Sequence, residues 1–97
     1  MKKQKTILLA DDDQLIIECY SEVLKMSFPN YNLEIFENGT SLKGRLEKSV
    51  ENVRVVITDY HMPGITGGVI IKKYAKSENF RKITFILQIG RASFRER

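Results

Sequence analysis

Val53-Arg-Val-Val-Ile-Thr-Asp59, running directly into Tyr60-His-Met-Pro-Gly-Ile-Thr-Gly67, is the stretch that decides how this chain folds. Val53 to Thr58 is apolar and β-branched, as suits a strand buried in a sheet, and Asp59 closes it. From Tyr60 to Gly67 neither strand nor helix can continue. Pro63 has no backbone N–H to give, and the glycines at 64, 67 and 68 weaken regular structure. An acid ending a strand, followed by a proline-glycine loop, is the first candidate site.

Upstream, Thr6-Ile-Leu-Leu-Ala10 is a short continuous apolar run stopped by Asp11-Asp12-Asp13, and it reads as a second buried strand ending in acid. From Gln14, the residues Leu15, Ile16, Cys19, Tyr20, Val23 and Leu24 recur at helical spacing, which predicts a helix ending before Pro29 with Asp13 as its N-cap. Asn32 to Phe36 alternates between turn signals and reads as a strand. A weaker helix follows from about Thr40 to Ser49, with Leu42, Leu46 and Val50 on one side. Beyond the loop, Gly68 to Lys76 reads as a helix with Val69, Ile70 and Tyr74 inward, and Ile83 to Leu87 as a fourth strand. Strands alternating with helices imply an α/β fold, a parallel sheet with helices on both faces and right-handed crossovers.

A chain of 97 residues makes one small domain at most. No run approaches the roughly 20 apolar residues that span a bilayer, and the apolar stretch after the basic Met1-Lys-Lys-Gln-Lys5 is too short for a signal-peptide core, so a cytoplasmic protein is expected. The single Cys19 has no partner within the chain and reads as a small buried residue on the first helix. The formal charge of +4 owes half its excess to the last nine residues, and the other lysines are scattered without interleaved aromatics. They read as solvated surface, not as a nucleic-acid stripe.

In an open parallel sheet, ligands bind beyond the carboxyl ends of strands where the winding reverses. If the two acid-ending strands are neighbours there, Asp11, Asp12 and Asp59 converge, and such crowded anions call for a cation. Mg²⁺ suits them, because it takes hard oxygen ligands from one or two carboxylates and keeps positions for water and phosphate oxygens. Tyr60 and Met62 read as packing residues. A dinucleotide-binding reading fails because no glycine-rich turn follows the first strand. A dehalogenase-type hydrolase would need Asp-x-Asp-x-Thr/Val, and Leu15 stands at the last position.

The pattern ILLADDD at residues 7–13, with VVITDYHMPGITGG at 55–68, resembles the response-regulator receiver family over residues 5 to about 88. The resemblance implies a flavodoxin-like doubly wound parallel sheet of order 2-1-3-4, the fifth strand and last helices missing. It implies that Asp59 is the phosphoacceptor and that Asp11, Asp12, Asp59 and the backbone carbonyl of His61 hold Mg²⁺. The donor would be a sensor histidine kinase or phosphotransfer protein, with no nucleic acid or membrane engaged. The chain would then be a signalling domain rather than an enzyme, with no catalytic residue beyond the phosphoacceptor site. On this resemblance residues 1–88 would be the receiver domain, incomplete, and 89–97 a non-native tail, since IGRASFRER resembles translated sequencing-adapter DNA. Two family features are not met: the hydroxyl expected at the end of the fourth strand falls at Ile89, and the later lysine has no counterpart. That keeps open an alternative, a receiver-like interaction module that is not phosphorylated.

Overall fold

All four predicted strands form in the computed structural model, which describes residues 4–88 of the chain. β1 (Thr6–Ala10) lies between β2 (Asn32–Phe36) and β3 (Val53–Asp59), and β4 (Thr84–Gln88) flanks β3. Every pairing is parallel and the order is β2-β1-β3-β4, as expected for the doubly wound fold. The central position explains the continuous apolar run of β1, in which all five residues are buried, whereas β2 and β4 at the edges mix exposed and half-buried positions.

Three helices connect the strands: α1 (Gln14–Ser27), α2 (Gly39–Leu46) and α3 (Gly67–Tyr74). Each begins at a side-chain cap that accepts a backbone N–H: Asp13 from Leu15, Asn38 from Ser41 and Thr66 from Val69. α2 stops short of the predicted Ser49, β4 starts and ends one residue later than predicted, and an unpredicted 3-10 turn at Glu78–Phe80 leads into β4. None of the described helices is long and apolar enough to cross a membrane.

The core is unequal on the two faces of the sheet. On one, Leu8, Ala10 and Val56 pack with Leu42 and Leu46 of α2 and Ile70 and Tyr74 of α3. On the other, a smaller cluster of Ile7, Leu9 and Ile57 is joined by the half-buried Tyr20 and Leu24 of α1. Here the helical periodicity misjudged the orientation of α1. Ile17 and Ser21 are buried, while Leu15 and Val23 are 67% and 59% exposed and Cys19 is exposed rather than buried. The apolar stripe of this helix is wider than the strip the sheet covers, so its outer edge stays in water. Val69 of α3 likewise points outward, since the helix rests on the sheet through Ile70 and Tyr74. Residues 89–97, including the expected hydroxyl position at Ile89 and the expected tail, lie outside the described residues.

Candidate metal and phosphoacceptor site

Two strand ends meet at one edge of the sheet. Ala10 of β1 is level with Thr58 of β3, so the next residue along each strand brings Asp11 beside Asp59. Leu9 and Ile57, two positions earlier, belong to the α1-side cluster, and side chains two apart share a face, so both carboxylates project on that side. One carboxylate oxygen each from Asp11, Asp12 and Asp59 lies within 4.8 Å of the others. The three acids singled out from the sequence are therefore brought together, and Asp13 is set apart as the cap of α1.

Asp11 is buried, and the Asp13 N–H donates to its Oδ1 at 2.9 Å. Burial pushes the Asp11 carboxyl above its ordinary value of 3.8; the Asp13 N–H opposes the rise, and the charges of Asp12 and Asp13 add to it. Asp59 is also raised, first by burial and then by Asp11 and Asp12, with the Tyr60 N–H and His61 opposing. Among the described residues, none of the ion pairs includes any of the three acids. Three oxygen donors within 4.8 Å of one another, two of them on carboxyls raised by burial and by neighbouring charge, fit a hard divalent cation.

The loop after Asp59 is tied to its surroundings by backbone bonds. The Tyr60 N–H donates to the Gln88 carbonyl at 2.8 Å, the Gly67 N–H to the Tyr60 carbonyl at 3.0 Å, and the Gly39 N–H to the Pro63 carbonyl at 3.0 Å. Met62 is buried in the main core, as expected of a packing residue. Tyr60 is partly exposed, with its ring over Gly68 and edge-on to the exposed His61 at a centroid distance of 4.7 Å. The His61 ring is not among the clustered ligand atoms.

No protein-family model matches the chain. Among curated proteins it is similar to the two-component response regulator ORR6 of Oryza sativa subsp. japonica, 29% identical over 82 residues that cover 84% of this chain and 47% of that protein. It is also similar to the two-component response regulator ARR17 of Arabidopsis thaliana, 27% identical over 97 residues, covering 90% and 62%. The chain thus spans about half to three-fifths of the length of these relatives. Among solved structures, the response regulator receiver domain protein from Clostridium thermocellum superposes with a TM-score of 0.76 at 21% identity, over 95% of this chain and 70% of that one. The chemotaxis response regulator CheY4 of Vibrio cholerae gives 0.72 at 21%, over 88% and 68%. The chain has the receiver-domain fold and is similar in sequence to two-component response regulators.

Within this fold, two glycines shape the loop beside the acidic site. Gly64 has a φ of +83°, a conformation that a side chain makes costly. At Gly67 an added Cβ would lie 2.1 Å from the Asp59 carbonyl oxygen, a backbone atom that cannot move without moving Asp59. Gly67→Ala is therefore expected to cost about 1 to 3 kcal/mol, in the range of overpacking in a tight site. Urea unfolding checks it, and an unchanged midpoint would contradict the close approach.

The sequence reading did not single out Gln88, which pairs in register with Asp59 from β4.

Proposed function

We propose that this receiver domain accepts a phosphoryl group on the Asp59 carboxylate from a phosphohistidine of a sensor histidine kinase or phosphotransfer protein. The observation that carries this reading is the convergence of Asp11, Asp12 and Asp59 oxygens within 4.8 Å at the carboxyl edge of the sheet. An Asp59 oxygen attacks phosphorus, the phosphorus–nitrogen bond breaks, and the histidine leaves as neutral imidazole after taking up a proton, giving an acyl phosphate. Asp59 is half-buried, hence reachable by an incoming phosphohistidine, and the Asp13 N–H holds Asp11 in place beside it. Asp11, Asp12, Asp59 and the His61 backbone carbonyl would hold Mg²⁺, whose charge lets an anionic nucleophile approach an anionic phosphoryl group.

Acetyl phosphate with Mg²⁺ tests the reading: mass spectrometry should find one phosphoryl group, mapped to Asp59. The amide of Gln88 in place of a hydroxyl opposite Asp59 favours a second reading, an interaction module that binds partners without phosphorylation, and no labelling at any acid would select it. A metal measurement is independent of both. Mg²⁺ at about ten times its dissociation constant should stabilise the fold by about 1.4 kcal/mol, or roughly 5 to 10 °C in melting temperature for a domain this small, reversed by EDTA. No shift in the wild type at millimolar Mg²⁺ would remove the metal site.

A further inference from the structure

We propose that Thr58 is a positioning residue for the phosphoacceptor: its hydroxyl holds the Asp59 carbonyl, fixes the plane of the peptide between Asp59 and Tyr60, and through that plane sets the direction in which the Asp59 carboxylate is presented. The inference rests on the phosphoacceptor reading above and deepens it. Thr58 is the most deeply buried polar residue among those described, with none of its surface exposed. It shares a strand face with Val56, on the side of α2 and α3, and so points away from the carboxylates of Asp11 and Asp59. Packing alone does not ask for a hydroxyl there, since valine has nearly the same shape, suits a strand equally well and buries no polar atom.

The hydroxyl sits where strand, loop and helix meet. Thr58 Oγ1 donates to the Asp59 carbonyl oxygen at 3.1 Å, with the Met62 sulfur as a second acceptor at 3.8 Å. The start of α3 closes over the same spot: a Cβ added at Gly67 would lie 2.9 Å from Thr58 Oγ1 and 2.1 Å from the Asp59 carbonyl oxygen. A peptide unit is planar and rigid, so whatever fixes the C=O of Asp59 also fixes the N–H of Tyr60 on the opposite side of the plane. That N–H donates to the Gln88 carbonyl at 2.8 Å, and it also draws the Asp59 carboxyl down against the rise that burial causes. A tilt of this plane turns the Asp59 side chain relative to Asp11 and Asp12. Attack on phosphorus tolerates little misplacement of the nucleophile, so a hydroxyl that never touches the phosphoryl group still governs the rate.

The test uses the full chain and compares wild type with Thr58→Val, Thr58→Ser and Thr58→Ala at a temperature where each is folded. Valine keeps the shape and removes the hydroxyl, whereas serine and alanine differ from each other by the hydroxyl alone. With saturating Mg²⁺ and acetyl phosphate, the rate constant for labelling Asp59 should fall about tenfold or more in Thr58→Val and Thr58→Ala, and stay within about threefold of wild type in Thr58→Ser. In the metal-free protein the backbone amide resonance of Tyr60 should move in the valine and alanine variants and keep its place in the serine variant, whatever each substitution does to the melting temperature. If Thr58→Val is labelled as fast as wild type, if Thr58→Ser loses as much as Thr58→Val, or if the Tyr60 amide is unmoved in Thr58→Val, Thr58 has no positioning role and the phosphoacceptor reading stands. If Thr58→Val does not fold, equal labelling rates in Thr58→Ser and Thr58→Ala refute the proposal instead. A wild type that is not labelled at Asp59 overturns the phosphoacceptor reading, and this inference with it.

Discussion

Asp59→Asn is expected to abolish acyl-phosphate formation from acetyl phosphate and, without metal at neutral pH, to melt a few degrees above the parent. The amide nitrogen is a poor nucleophile and the remaining oxygen carries no charge, so labelling should fall to background rather than by a modest factor. The gain in stability follows from the direction in which Asp59 titrates. Burial, then the charges of Asp11 and Asp12, raise its carboxyl above 3.8 in the folded state. A raised folded value means the folded state binds the proton more tightly than the unfolded chain does. The resulting stabilisation is present below about 3.8 and is lost as pH rises through the elevated folded value. At pH 7 the charged Asp59 only repels its neighbours, and asparagine removes that repulsion. The difference in melting temperature should therefore narrow as pH falls toward 4 and reverse at neutral pH under saturating Mg²⁺, which the parent binds better. Labelling retained in the variant, or a lower melting point at pH 7 without metal, would contradict the assignment.

Leu8→Ala should be the most damaging single truncation of the core, at about 2 to 5 kcal/mol. Leu8 is fully buried in the central strand and packs in the larger cluster with α2 and α3. Against a stability of about 5 to 15 kcal/mol for a small domain, that loss takes a large share of the reserve. Leu15→Ala removes the same atoms from a residue that is 67% exposed, and it should change stability by about 0.5 kcal/mol or less. Urea denaturation of the two variants compares the interior directly with the outer edge of α1. Equal losses would show that Leu15 belongs to the core, as its spacing suggested.

The acidic site was legible in the linear order of residues because each relevant strand announces its own end. Ile7 to Ala10 and, but for Arg54 and Thr58, Val53 to Thr58 are apolar until an aspartate, and a largely apolar run that stops at acid marks both a buried strand and its solvent-facing terminus. Asp13 was legible as a cap for the same local reason, since its side chain bonds a backbone N–H two residues away. The orientation of α1 was not legible. Period 3.6 defines a stripe, but which side of a broad stripe rests on the sheet depends on where β1 and β3 lie beneath it, and this left Leu15, Cys19 and Val23 outside and Ser21 inside. Gln88 was hidden more deeply. A slip of one residue along β4 changes nothing in its composition, yet it decides which side chain faces Asp59, and the register depends on the Tyr60 N–H bonding the Gln88 carbonyl across separate segments. Local patterning determined which residues carry charge at the strand ends; only the packing of distant segments decided which neighbours that charge would have.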